Sequence, residues 1–164
     1  MEAPPTNGIT NTQLQGDLNP SETRAIRKAL AILASRLRQG VSCTSAAYVK
    51  NYCQLEIANE KDEVFCCLFL DNQHRVIAFE RLFQGTIDGA NVHPRVVVRK
   101  ALEQNAAAVI FAHNHPSGTT EPSQADKAIT KKLQEALKLI DVRTLDHIIV
   151  TAIGCRSLAE EGLL

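Results

Sequence analysis

Long apolar runs and paired cysteines are both missing from this sequence. It has no stretch of about eighteen apolar residues and no basic segment followed by an apolar one at its start, so neither a membrane span nor a secretory signal is predicted. We therefore expect a cytoplasmic protein. Its five cysteines form no C-x-x-C pair, which disfavours a disulfide framework and a thiolate zinc site. Cys66 and Cys67 are adjacent in a predicted strand, so they face opposite sides of a sheet and suit its core.

A net charge is also missing, because 18 Lys and Arg residues balance 18 Asp and Glu residues. The composition therefore gives no general attraction to phosphate. One segment, a helix predicted over residues 20–40, is locally basic, and such a helix usually presents a solvated face. A weak association of this helix with DNA is the alternative interpretation. Its cations are Arg24, Arg27, Lys28, Arg36 and Arg38.

The length of 164 residues and the hydrophobic content of 45% suit one well-buried domain and leave too little chain for two. Residues 1–19 are rich in Pro, Asn, Thr and Gly without apolar periodicity, so we predict a disordered tail. The basic helix over 20–40 follows a start signal at Asn19-Pro20-Ser21 and ends at Gly40. The domain itself is expected over residues 41–164.

Strands and helices are mixed within this domain. A helix from Thr44 or Ser45 to Ala58 precedes two strands, over 64–70 and 75–83, which a turn-type sequence joins as an antiparallel hairpin. The elements expected next are a helix over 94–105, a strand over 106–112, a helix over 124–140 and a strand over 146–152. This order predicts an α/β fold, with a mixed β-sheet sandwiched by helices and an N-terminal helical extension.

A hydrolytic metal site is predicted just after the strand over 106–112. His113 and His115 extend that strand at positions i and i+2, where two imidazoles leave the same face. A Pro/Gly-containing loop follows, and Asp126 lies in the first turn of the next helix. Two imidazoles and one carboxylate form a three-ligand zinc set whose fourth position is open to water, as in catalytic sites.

Each of these residues also has a structural interpretation. Ser123 with Asp126 resembles a capping box, although Glu or Gln is the usual third residue, and Asp in a first helical turn is ordinary dipole chemistry. A lone H-x-H is weak evidence of a metal. The combination with a loop between the ligands favours metal binding. Asn114 points to the opposite face and is excluded as a ligand, and His147 fits an interior or supporting role better than a fourth ligand.

The pattern H-x-H, seven residues, S-x-x-D resembles the JAMM (MPN-type) metalloproteases. The longer strings HNHPSG, PSQAD and LDHIIV resemble the RadC family in particular, and the similarity runs from about Val41 to Leu164. The resemblance implies a three-layer, cytidine-deaminase-like JAMM fold. It also implies one Zn²⁺ per chain, held by His113, His115 and Asp126, with Ser123 supporting the reaction.

An upstream glutamate completes the JAMM pattern, and the matching position here is Glu80 in AFERLFQGT. A carboxylate near the reacting water would take its proton as general base, and Ser123 would donate a hydrogen bond to that water or to the developing oxyanion. The alternatives stay open. Glu80 also fits an exposed strand residue paired with Arg81 or a lysine, and Ser123 fits a helix N-cap. Glu103 is a competing carboxylate, but a surface charge describes it better.

The function implied is a zinc-dependent hydrolase of peptide or isopeptide bonds, acting on a peptide or protein substrate. The RadC family name also implies a DNA repair accessory role, and a non-catalytic MPN scaffold is a third alternative. A zinc deaminase would show H-x-E with P-C-x-x-C, and neither motif is present. The residues before Val41 are too few for the helix-hairpin-helix region common in the family. The chain therefore resembles the short form found on mobile elements, which weakens the DNA alternative.

Overall fold

The computed structural model describes residues 19–38, 46–85 and 91–164. Three predictions lie outside these residues: the disordered tail before Asn19, the helix end at Gly40 and the helix start at Thr44 or Ser45.

The order of helices and strands agrees with the prediction, with ends that differ by a few residues. The helices are α1 Pro20–Arg38, α2 Ala46–Ile57, α3 Pro94–Glu103 and α4 Gln124–Lys138, and the strands are β1 Val64–Leu70, β2 Val76–Gln84, β3 Ala108–Asn114, β4 Arg143–Val150 and β5 Cys155–Ser157. One strand prediction is corrected, because β4 begins at Arg143 instead of 146. The strand β5 was not predicted, because three residues show no measurable alternation.

The five strands form one sheet in the order β2-β1-β3-β4-β5. β1 and β2 form the predicted antiparallel hairpin, whose turn is held by the Asp71 carboxylate, an acceptor for the backbone N–H groups of Gln73 (2.8 Å) and Arg75 (2.9 Å). β3 and β4 are parallel, and α4 is the crossover between them, as parallel neighbours require. The predicted mixed α/β sheet is therefore confirmed.

Helices cover both faces of the sheet and give three layers. The even-numbered residues of β1 and β3 pack against α2, while the odd-numbered ones pack against α3 and α4. β1 and β3 are buried along their whole length, which explains why β1, and β3 as far as Ala112, are continuous apolar runs and not alternating ones. The face that carries α3 and α4 is the face on which the odd-numbered His113 lies.

Helix α1 begins as predicted, and Asn19 caps it. The Asn19 side-chain oxygen accepts from the backbone N–H groups of Ser21 (2.9 Å) and Glu22 (3.0 Å). Leu33 packs against the core on the α2 side. Three of its cations are exposed, namely Arg24, Arg27 and Lys28. Exposure alone does not test DNA binding, and association of this helix with DNA stays a prediction. No helix among the described residues is long and apolar enough to cross a membrane.

The four described cysteines are unpaired, as predicted. Cys66 lies in the core on the α2 side and Cys67 in the core beneath α3 and α4, so the two face opposite sides of the sheet. Burial raises the pKa of Cys66 to about 12 and that of Cys155 to about 11, so both thiols are protonated at neutral pH.

Candidate metal centre

Two histidines at the end of β3 point into one site. His113 is in the strand and His115 follows its last residue, which keeps their side chains on the same face, as predicted. The backbone N–H of His115 donates to the Val150 carbonyl at the end of β4 (2.9 Å), so the sheet holds the second histidine as well as the first. The two Nε2 atoms are 2.9 Å apart.

Asp126 reaches the same point from the first turn of α4. Ser123 is the N-cap of this helix, and its hydroxyl accepts from the Asp126 N–H (3.1 Å) while the Asp126 carboxylate accepts from the Ser123 N–H (2.7 Å). This reciprocal pair is a capping box with Asp in place of Glu or Gln. The cap fixes the carboxylate, whose oxygens lie 3.3 Å from His113 Nε2 and 3.4 Å from His115 Nε2.

These three side chains form a cluster that could bind a metal ion, since their ligand atoms all lie within 4.8 Å of one another. The hydrogen bonds of the rings test whether a cation fits. His115 Nδ1 lies 2.8 Å from the Thr119 carbonyl, which can only accept, so Nδ1 carries a proton and Nε2 is the ring nitrogen that faces the cluster. The Nδ1 atom of His113 likewise has a partner, His147 Nε2, at 2.8 Å. Two Nε2 atoms and a carboxylate that face one another need a positive charge between them, either a proton or a metal cation, so the residues fit a metal ion.

The charge of the site also favours a cation. Burial acts to raise the pKa of Asp126, but its interactions with His113 and His115 outweigh this and hold the pKa below its ordinary value, so the carboxylate is ionised. The same carboxylate raises the pKa of His115, and the negative charge of Glu63 acts in the same direction. A field that favours a proton on His115 favours a metal ion at that position equally.

Replacing Ser123 by alanine is expected to destabilise the protein by about 1 kcal/mol, because the Asp126 N–H at the start of α4 loses its acceptor. The measurement is urea unfolding of the metal-free protein. Ser117→Ala, at an exposed position of the preceding loop, is the matched control and should leave the free energy of unfolding unchanged. An equal effect of both changes would contradict the capping role. The predicted catalytic role of Ser123 stays a prediction, since its hydroxyl donates to Asp126 (2.6 Å).

Glu80 lies on β2 in contact with α3. Its carboxylate accepts from the side-chain amide of Gln104 (2.5 Å) and pairs with Lys100 Nζ (3.1 Å). Glu80 is opposite Cys67 on β1, while His113 is opposite Phe65, two residues away. Two inter-strand spacings and two residues along the strand put the Cα atoms of Glu80 and His113 about 12 Å apart. Its role as general base stays a prediction.

A different carboxylate, Glu63, lies beside the cluster. Phe65 is opposite His113 in the antiparallel pair of β1 and β3, and the same register continued by two residues sets Glu63 opposite His115. At this position its negative charge acts to raise the pKa of His115. Glu63 was not predicted from the sequence, because its position depends on which strand pairs with β3. The only local signal was its place immediately before a fully buried strand.

His147 is an interior residue and Asn114 points to the opposite face of the sheet, both as predicted. His147 is completely buried behind His113 and outside the ligand cluster. Asn114 points to the other face of the sheet, where its side-chain oxygen accepts from the Val64 N–H (2.8 Å) and its amide donates to the carbonyls of Glu60 and Asp62. This side chain ties the segment that carries Glu63 to the end of β3.

Comparison with known proteins identifies the family of the chain. The family model described as the RadC-like JAB domain matches residues 43–163. A UPF0758 protein of Vibrio cholerae serotype O1 is 52% identical over 143 residues, which are 87% of this chain and 90% of that protein. UPF0758 proteins of Thioalkalivibrio sulfidiphilus and Methylibium petroleiphilum are 55% and 52% identical over 80% and 90% of this chain.

The chain spans 59% of the length of the Thioalkalivibrio relative and 68% of the Methylibium one. The matched region contains the sheet, α3, α4 and the whole cluster at the end of β3. The family model covers well over half of the chain, and the mixed sheet between helical layers is the fold it calls for. The chain therefore belongs to the RadC family, and residues 43–163 form its RadC-like JAB domain.

Proposed function

We propose that this protein is a zinc-dependent hydrolase of amide bonds, in peptides or isopeptides, with a metal site formed by His113, His115 and Asp126. The observation that carries the proposal is the convergence of two imidazole Nε2 atoms and one carboxylate at the end of β3. Three protein ligands leave a position open, which distinguishes catalytic from closed structural zinc sites. Membership of a JAB domain family supports a hydrolase over a structural protein.

The chemistry requires Lewis acidity and a base. Bound to these three residues, a zinc ion supplies Lewis acidity that polarises the amide carbonyl and lowers the pKa of water to about 7. A carboxylate beside the site takes one proton from the attacking water as the water oxygen bonds to the carbonyl carbon. It then returns that proton to the amine as the C–N bond breaks. Protons are conserved over the two steps, and the products are a carboxylic acid and an amine.

Two glutamates compete for the role of base, and the strand register favours Glu63. The β1–β3 register continued by two residues puts it opposite His115, and its negative charge acts to raise the pKa of that histidine. Glu80 fits the family pattern in sequence, but it lies two strands from β3, with its Cα atom about 12 Å from that of His113. General bases are accepted on geometry before pKa, so we assign the proton transfer to Glu63.

The test compares Glu63→Gln with Glu80→Gln in zinc-loaded protein. Both changes keep the size of the side chain and remove only the base, so both variants should retain the metal. We expect Glu63→Gln to lower the rate of amide hydrolysis by about 10²–10⁴-fold, as the loss of a general base does, and Glu80→Gln to lower it by less than about tenfold. The substrates are a peptide library and lysine-linked isopeptides, with cleavage followed by mass spectrometry.

Each outcome decides between the assignments. The reverse order of effects would move the base to Glu80. Hydrolysis that is unchanged in both variants would exclude both carboxylates. No cleavage by the zinc-loaded wild-type protein across the peptide and isopeptide sets would overturn the hydrolase proposal and leave a metal-binding or DNA-associated role.

A further inference from the structure

A chain of three hydrogen bonds runs behind the metal cluster and joins two of its ligands. His113 Nδ1 lies 2.8 Å from His147 Nε2, and His147 Nδ1 lies 2.6 Å from the Thr130 hydroxyl. The hydroxyl in turn lies 2.5 Å from the backbone carbonyl of Asp126. His113, His147 and Thr130 are all essentially inaccessible to solvent, so water does not compete for these bonds.

The fold sets this chain through two periodicities. His147 is opposite Phe111 in the parallel pair of β3 and β4, two residues before the level of His113, so the two rings share one face of the sheet. Thr130 follows Asp126 by four residues on α4, which places it one turn further along the same side of the helix. β4 and α4 therefore place His147 and Thr130 beside the ligands.

Which group donates and which accepts in each of these hydrogen bonds follows from the Asp126 carbonyl, where the series ends. A carbonyl only accepts, so the Thr130 hydroxyl donates to Asp126 and must accept from Nδ1–H of His147. His147 is completely buried, and its two ring nitrogens face another imidazole and a hydroxyl, so no anion compensates a charge on it; the ring is therefore neutral and its Nε2 atom accepts. His113 therefore donates through Nδ1, and its Nε2 lone pair points at the cluster.

We propose that His147 and Thr130 are positioning residues that hold His113 in its metal-binding tautomer. A free histidine side chain prefers the proton on Nε2, the atom that must be unprotonated to bind a metal. The hydrogen bond made by the other ring nitrogen decides between the two tautomers. In this protein the hydrogen bonds that set the tautomer of His113 end at the backbone carbonyl of Asp126. The helix that supplies one ligand therefore also sets which nitrogen of another ligand is protonated. The inference rests on the metal-binding part of the proposed function.

The first test compares His147→Leu with His147→Gln. The glutamine amide offers an oxygen that accepts from His113 and an NH₂ that donates to Thr130, whereas leucine offers neither. We expect His147→Leu to weaken zinc affinity by about 10–100-fold, the usual range for the loss of such a partner, and His147→Gln to stay within about threefold of wild type. The affinity is measured by competition with a chromophoric zinc chelator.

A second readout follows the tautomer directly in the metal-free protein. The ¹⁵N chemical shifts of the His113 ring should report one tautomer, protonated on Nδ1, in the wild type and in His147→Gln. They should report a protonated Nε2 or a mixture in His147→Leu. This measurement needs neither metal nor substrate. It therefore distinguishes failure of the hydrogen bonds to set the His113 tautomer from failure of the proposed function.

Variants of Thr130 keep the proposal testable if His147→Leu does not fold. Thr130→Val removes the hydroxyl with little change of shape and should weaken zinc affinity, while Thr130→Ser keeps the hydroxyl and should restore it. Equal zinc affinities and equal ring ¹⁵N shifts in the wild type and the folded His147→Leu or Thr130→Val variant would overturn the proposal. A purely structural role would lower stability without changing the tautomer.

Discussion

Replacing Asp126 by alanine is expected to abolish zinc binding. The change removes the one anionic ligand and leaves two neutral imidazoles, and loss of a ligand should exceed the 10–100-fold weakening typical of a supporting residue. Purified wild-type protein should contain one zinc per chain, and Asp126→Ala none, by elemental analysis after dialysis against a weak chelator. His113→Ala should behave in the same way.

Asp126 also caps α4, so the experiment needs variants that separate the two roles. Asp126→Asn keeps a side-chain acceptor for the Ser123 N–H but loses the charge, and it should remain folded with strongly weakened zinc affinity. Glu135→Ala, at an exposed position on the same helix, is the matched control and should keep its zinc. Zinc retained at wild-type stoichiometry in Asp126→Asn and Asp126→Ala would remove this cluster as the metal centre.

Replacing Phe111 by alanine should have the largest effect on stability. Phe111 is completely buried in the middle of β3, and its ring contacts Phe65 and His147 at centroid distances of 5.5 and 5.7 Å. Removal of such a ring costs about 3–5 kcal/mol through lost burial and the cavity left behind. For a domain of this size the melting temperature should fall by about 10 °C or more.

The melting temperature should be measured with chelator present, because a bound metal stabilises the folded state by itself. Phe111→Leu keeps most of the volume and should cost less than about 1.5 kcal/mol. Leu139→Ala, at a position that is 86% exposed, should leave the melting temperature unchanged. A loss in Phe111→Ala no larger than that in Leu139→Ala would contradict the described core.

The local parts of this structure were predictable from the sequence. β1 was predicted over the seven residues it occupies, because a continuous apolar run between turn formers is typical of a strand buried on both faces. The i and i+2 spacing of His113 and His115 fixed their common face. The Ser123 and Asp126 spacing fixed the start of α4. All these signals lie within a few residues of one another, and the three ligands share one short segment.

The rest of the site depends on which strands pair with each other, and the periodicity of the sequence does not give that information. Glu80 lies within β2 and Glu63 just before β1, and only the register of β1 against β3, continued by two residues, puts Glu63 opposite His115. The link from His147 to His113 likewise required knowing that β4 is parallel to β3. β5 is too short to leave a pattern, and β4 begins with a polar segment that reads as a turn.

One part of the site comes from residues that are close together in the sequence around the end of β3. The other part is distant in the sequence and is brought to it by strand pairing. The metal ligands belong to one stretch of chain, from the end of β3 through a loop to the first turn of α4. Glu63 comes from a segment some fifty residues earlier in the sequence, held there by the β1–β3 pairing and the Asn114 side chain. A fluctuation that opens this pairing separates the carboxylate from the ligands while the ligands stay together. Under the proposed function, opening of the β1–β3 pairing should therefore stop hydrolysis before the metal is released, so a full complement of zinc would not by itself indicate an active protein.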